Sequence, residues 1–414
     1  MSSTPFSALR NTALRNAVFG SLGAALFVVT ASGQAGSPSE ANHFIETPKG
    51  WSHPKTAWGD PDLTGIWPIA HGLNLVRSCP RAGGPGGGAG APGADATPCD
   101  PNNIPLFKTE AVYKAEVDRA LGIRKSGDNA TQALAKGNFG AALQGGVVDP
   151  TFPERQTSMI VDPANGKLPE LTAEGKRRSA LMKSSWSLGP TELQTWDHWE
   201  DFDSWDRCIT RGMPSSMMPY RYNNGIHIFQ APGMVVLSLE MIHEDRIVYT
   251  DGRAPLTPVH KQYMGEPRGR WEGNTLVITT TNYREGPSGT NIGVFGSPAG
   301  NRFPVSDRMK TTERLTRLND DTLLYEMKIE DPVIMVQPYT VRYPLRLDNG
   351  YQWWEYNCHE GNRTIGDYIR TSRARRATCG CNRRSCGCLR DSCIPTTGSR
   401  CRDGAGTARC TAGP

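Results

Sequence analysis

The sequence predicts a mainly β protein, an antiparallel meander closed as a barrel or sandwich, with a few N-terminal helices. Three observations predict it. From residue 205 onward, apolar residues recur at every second position in short runs, which lays them on one face of a strand. Turn-forming pairs such as Asp251-Gly252 and Gly273-Asn274 separate those runs. Helical spacing appears upstream instead, between residues 105 and 183.

In chain order, residues 1–35 read as a secretory leader. Arg10 and Arg15 precede an apolar run over 17–31, and small residues around Gly33-Gln34-Ala35 suit a signal peptidase. The run is interrupted by Gly20, Ser21 and Gly23 and is short for a spanning helix, and no cysteine follows it as in a lipoprotein. The mature chain is expected in the periplasm or secreted, with no stable membrane insertion.

Residues 36–104 form an irregular entry. Gly50-Trp51 and the stretch from Asp60 to Trp67 carry aromatics suited to crossing the mouth of a β-structure, and the Gly, Ala and Pro of 81–96 have little to bury and predict a disordered loop. Residues 105–204 are a helical scaffold. Leu106, Val112, Tyr113, Val117 and Leu121 keep helical spacing, and a second helix over 171–183 takes Thr172 as its cap with Glu174 in the first turn. Trp186, Trp196, Trp199 and Trp205 mark a junction between helix and sheet.

Residues 205–370 are the antiparallel β-domain. A strand over 234–242 puts Val235, Leu237, Leu239 and Met241 on one face and Val236, Ser238, Glu240 and Ile242 on the other. That second face suits either a strand lining a ligand cavity or one buried on both sides. Asp251-Gly252 then returns the chain. The segment 270–275 is a tight turn into a strand over 276–283, residues 313–318 and 322–329 form a hairpin, and Val341, Tyr343, Leu345 and Leu347 alternate. A final strand carries Trp353, Trp354, Tyr356, Cys358 and His359.

The formal charge of +5 sits at the ends of the chain. Residues 371–414 hold nine Arg against two Asp and the leader adds Arg10 and Arg15, so residues 36–370 carry a net −4. An acidic body argues against a nucleic-acid partner. The segment 371–414 lacks the large apolar residues a core needs and is expected to be a disordered Arg/Cys-rich tail, although Cys379-Gly-Cys381 and Cys386-Gly-Cys388 invite comparison with metallothioneins.

Seven of the 11 cysteines fall between Cys379 and Cys410, leaving Cys79, Cys99, Cys208 and Cys358 in the body. In an oxidising compartment these four predict the pairs Cys79–Cys99 and Cys208–Cys358; their spacing fits no zinc pattern.

No nucleotide loop, nucleophile elbow or spaced metal motif fixes a reaction, and no cofactor is implied. The ionisable groups that can converge are Asp206, Glu240, His243, His359 and Glu360, with Arg207, Arg211 and Arg246 beside them. A bridge between Cys208 and Cys358 would bring Asp206-Arg207 to His359-Glu360. His243 or His359 beside a carboxylate can serve as a general base near neutral pH, and the arginines can hold a substrate oxygen. The same residues equally suit a structural ion network. A metal site from Glu240, His243, His359 and Glu360 would need a helical spacing on what reads as a strand. Three expectations follow: an enzyme acting by acid–base chemistry on a small, partly apolar organic molecule (an isomerase, lyase or hydrolase); a non-catalytic carrier of such molecules; or an envelope interaction module.

The motifs Asp206-Arg207-Cys208 with Arg211-Gly212, Arg268-Gly269-Arg270-Trp271-Glu272-Gly273-Asn274-Thr275-Leu276, and Tyr356-x-Cys358-His359-Glu360-Gly361-Asn362 resemble those of a large family of exported, uncharacterised bacterial proteins. Between them, Tyr222-Asn223-Asn224-Gly225 and Glu240-Met241-Ile242-His243-Glu244 add to the resemblance, which runs from about residue 56 to 373. It carries no activity across. Members end soon after a stretch like 369–375, which implies that the Arg/Cys tail is not part of the working fold. Gly65-x-Trp67 together with the meander is more remotely similar to the lipocalins and implies a lipocalin-like barrel.

Overall fold

A computed structural model of the chain describes residues 47–69, 73–77, 79, 100, 103–125, 154–183, 195–220, 222–285 and 303–378. Its strands are β1 (Gly65–Ile66), β2 (Ile160–Asp162), β3 (Ile226–Ala231), β4 (Met234–Leu239), β5 (Glu244–Tyr249), β6 (Glu266–Glu272), β7 (Thr275–Thr281), β8 (Lys310–Arg317), β9 (Thr322–Glu330) and β10 (Tyr339–Arg346). They form one ten-stranded sheet in the order β1-β3-β4-β5-β6-β7-β8-β9-β10-β2. The helices are α1 (Glu110–Lys125), α2 (Ala173–Leu181) and α3 (Thr364–Thr378). Among the described residues no helix is long and apolar enough to cross a membrane.

Alternation builds the sheet as expected. Leu323, Tyr325, Met327 and Ile329 of β9 and Tyr339, Val341, Tyr343 and Leu345 of β10 are all buried on one face. Register pairs Tyr325 with Tyr343 and Leu323 with Leu345, so the large side chains meet across strands. The sheet curls into a half-barrel, the barrel-like, mainly β architecture that the pattern predicted. Its far ends approach where the Asp348 N–H donates to the Ile66 carbonyl at 2.9 Å. Gly65 makes that approach possible: at φ +136°, a Cβ there would fall 2.4 Å from Leu347.

The concave side is filled by protein. The loop between Trp205 and Asn224 turns inward and places Met213, Met217 and Met218 in the main core, each 1% exposed or less. The Tyr343 hydroxyl donates to the Met217 carbonyl and fixes that insertion. Trp67 closes the other side, fully buried, with its indole N–H on the Leu63 carbonyl at 2.9 Å. Helix α2 starts as its cap predicts: the Gly175 N–H donates to Thr172 Oγ1 at 2.9 Å, and Glu174 occupies the first turn.

The path of the chain departs from the sequence reading in four places. Strand β4 ends at Leu239, because Glu240 already takes helical backbone (φ −64°, ψ −43°), and Ile242 (φ 63°) and His243 (φ 40°) then turn left-handed. Asp251-Gly252 does not close a hairpin; the chain loops out and β5 meets β6 in parallel, at the single pair Tyr249 and Arg268. Residues 270–275 are no isolated turn, since β6 already begins at Glu266 and only Gly273-Asn274 turns. No strand carries 353–359. That arm is instead held by side chains described below, and α3 follows it past residue 371 into the segment expected to be tail. Helix α3 docks because Tyr368 packs edge-on against Trp196 and Phe202, at 5.5 and 5.9 Å, while Ser372 Oγ accepts the Trp196 N–H at 2.9 Å. The expected leader, the 81–96 loop, Cys99, Trp186 and the cysteines from 379 onward lie outside the described residues.

Candidate functional site

The Cys208–Cys358 bridge is formed, with Cα atoms 5.6 Å apart. Cys79 is also disulfide-bonded, while its expected partner Cys99 lies outside the described residues. The first bridge brings residues 206–208 to 358–362 as expected, and backbone and amide groups meet there. Asn362 Nδ2 donates to the Asp206 carbonyl at 3.4 Å. His359 and Glu360 stand exposed on the turn that follows the bridge. Asp206 receives order from its own loop, its N–H donating to Asp203 Oδ1 at 2.7 Å. Arg207 is half-buried, donating to the Asp203 carbonyl at 3.2 Å and lying over the Trp199 ring at 5.1 Å.

Glu240 is 1% exposed and accepts hydrogen bonds from four donors: Asn223 Nδ2 at 3.1 Å, the Gly225 N–H at 3.0 Å, the Tyr351 hydroxyl at 2.7 Å and the Trp354 N–H at 2.7 Å. A carboxylate so occupied is an anchor for the 351–357 arm. This is why the arm crosses the start of β3 and does not pair as a strand. His243 follows on the turn with its side chain exposed, so Glu240 and His243 do not act as a pair on one strand face. Among the described residues no group of three or more His, Cys, Asp or Glu is placed to hold a metal ion.

Gly225 sits at the centre of this anchor. A Cβ there would lie 2.9 Å from Glu240 Oε2, from Trp353 Cζ3 and from Tyr351 Cε1. Gly225→Ala is therefore expected to push the arm off the sheet and cost about 1–3 kcal/mol, as overpacking does. Urea unfolding of the variant checks this, and a loss below about 0.5 kcal/mol would show that the arm yields freely.

Arg211 and Arg246, expected at a substrate, are interior residues. The Arg211 guanidinium is buried between Trp205 and Tyr220, at 4.9 and 5.3 Å from the ring centres, and donates to the Met218 carbonyl at 3.1 Å. Burial pulls it down to about 10, partly offset by Tyr220, Tyr356, Tyr222 and Tyr343. Arg246 faces into the half-barrel and grips Glu313 with both guanidinium nitrogens, at 2.8 and 2.6 Å. Tyr325 OH adds a third bond to that carboxylate at 2.8 Å. Sequence reasoning missed Glu313 as an interior group, yet a signal was there: Thr311, Glu313 and Leu315 share the period-two face that is buried in β8.

Glu244, beside the exposed His243, accepts the Thr210 hydroxyl at 2.6 Å. Burial pushes its carboxyl above the usual range, with Thr210 and Arg246 offsetting only part of that. A raised folded-state value means the folded protein holds a proton the unfolded chain releases. Its contribution is thus present in acid and is lost as pH rises through the range just above that of ordinary carboxylates. Glu244→Gln should flatten that fall in the urea midpoint between mildly acid and neutral pH. An unchanged slope would assign the fall to another group.

A wider opening lies elsewhere. A cleft of about 440 Å³ lies between the end of α2 and the chain at Glu285, Pro304 and Val305. Leu181, Met182, Pro304 and Val305 give it apolar walls, and Arg177, Arg178, Lys183, Glu200, Asp201 and Glu285 give it a charged rim. The rim is internally paired: Arg178 meets Glu285 at 2.7 Å and Lys183 meets Asp201 at 2.8 Å. Burial raises the Asp201 carboxyl, but Lys183 and the backbone N–H groups of Asp197 and His198 outweigh it and hold it below the usual range. None of the residues expected at the site lines this cleft. By contrast, the pocket that does touch Arg211, Asn223 and Gly225 measures about 10 Å³, room for about one water. No family model, no curated protein and no solved structure matches this chain.

Proposed function

We propose that this chain is an exported, non-catalytic binding protein for a small, partly apolar organic molecule. The observation that carries this is the cleft of about 440 Å³, whose size and mixture of apolar wall and charged rim suit such a ligand, away from both candidate bases. The carrier reading thereby moves from the interior of the half-barrel, which Met213, Met217 and Met218 fill, to its flank. The acid–base reading rests on His243 and His359, and both stand on exposed turns outside the cleft. A leader-like N-terminus and the Cys208–Cys358 bridge support export to the periplasm or beyond.

Leu181, 65% exposed at the cleft wall, is the residue to change. Anilinonaphthalene sulfonate, itself a partly apolar organic ion, is expected to brighten on binding. Leu181→Asp should weaken that binding about tenfold by placing charge on the apolar wall, a difference of about 1.4 kcal/mol. Equal titration curves for the two proteins would refute the assignment of the cleft.

A further inference from the structure

We propose that a second site lies on the convex face of the half-barrel, where the rings of Trp353, Phe229 and His227 form a platform for carbohydrate. The register builds it. His227, Ser238 and Asp245 stand side by side on β3, β4 and β5, and Phe229, Val236 and Ile247 form the next row. These are the outward positions of their strands: Phe229 is 48% exposed and Ile247 44%, while Ile228, Leu237 and Arg246 point into the core. The His227 ring lies 3.8 Å from that of Phe229 and 6.3 Å from that of Trp353, so the rings are contiguous.

The platform is rigidly held, which distinguishes it from a scatter of surface apolar residues. Trp353 lies where only Gly225 leaves room for its ring, and Trp354 is fixed through its backbone N–H on Glu240. A carboxylate with 1% exposure thus holds the backbone that carries two tryptophans, themselves 38% and 56% exposed. Preorganised aromatic side chains lose little entropy on binding and dominate recognition where they occur.

The chemistry around the rings selects the ligand class. Ser238 and Asp245, in register with His227, border the rings with a hydroxyl and a carboxylate, and Asp245 is exposed. A sugar ring has an apolar C–H face and a rim of hydroxyls, which matches ring faces edged by hydrogen-bonding groups. Burial lowers His227, which keeps its ring uncharged at neutral pH and able both to donate and to accept. A neutral glycan fits this surface better than an anionic one, because Asp245 would repel added negative charge.

Tryptophan fluorescence titrations with chitotetraose, cellotetraose, xylotetraose and maltotetraose test the site. At least one of these glycans is expected to bind wild type. Phe229→Ala and Trp353→Ala should each weaken it about tenfold or more, with Leu181→Asp binding like wild type. Phe229 makes no contact with Glu240 in the network above, so its variant separates lost binding from a loosened arm; thermal unfolding checks both. Binding to none of the glycans, or binding unchanged in both ring variants, overturns the proposal. So does retention on neutral phosphatidylcholine vesicles with no glycan bound.

Discussion

Cys208→Ser, Cys358→Ser and the double variant are expected to lose the same stability, about 5 kcal/mol in the chain-entropy model. The magnitude follows from the span, since the bridge joins residues 150 apart and denies the unfolded chain the conformations in which those ends separate. Loss should arise mainly in the unfolded state. In the folded state the arm is held independently, by the Tyr351 hydroxyl and Trp354 N–H on Glu240 and by Trp205 Nε1 on the Tyr356 hydroxyl at 3.2 Å. Near-ultraviolet circular dichroism should therefore change little under native conditions while the urea midpoint falls. The denaturant dependence should steepen as the unfolded chain expands. A loss below about 1 kcal/mol would mean that residual structure already confines the unfolded chain.

That bridge was legible in the sequence because parity and the expected oxidising compartment left few partners, and the half-barrel was legible because period two is a strong signal. The geometry of the site was not legible, for a physical reason particular to Glu240. Pattern alone put it on a strand face, but whether a strand continues depends on backbone dihedrals from Glu240 itself to His243, which no periodicity reports. Once the strand stopped, Glu240 turned to serve the Tyr351–Trp354 arm, and the expected last strand was lost with it. Arg246 failed differently. It alternates correctly with Val248, so its burial was readable, but its partner Glu313 lies on another strand, 67 residues away. The cleft depends on how α2 docks beside Pro304 and Val305, a long-range packing that composition does not encode.

Glu313→Gln is expected to cost about 3–5 kcal/mol, because it leaves the Arg246 guanidinium buried without its countercharge. The two side chains are 1% and 0% exposed, so water cannot take the place of the lost carboxylate. The pair also spans a weak seam. Strands β3 to β5 and β6 to β10 are antiparallel ribbons joined in the sheet by one parallel pair, and Arg246 on β5 reaches across the interior to Glu313 on β8. Arg246→Met differs in kind. The abandoned Glu313 can take up a proton, so its folded-state value would lie above that of the unfolded chain; the variant should be least impaired in acid and lose stability as pH rises. Arginine keeps its proton across that range, so the cost of Glu313→Gln should hardly vary with pH. Arg246→Met combined with Glu313→Leu removes both charges and should recover most of the loss. Urea unfolding of the three variants across pH decides the matter. A double variant as unstable as Glu313→Gln would show that the seam depends on the hydrogen bonds among Arg246, Glu313 and Tyr325, and not on charge balance.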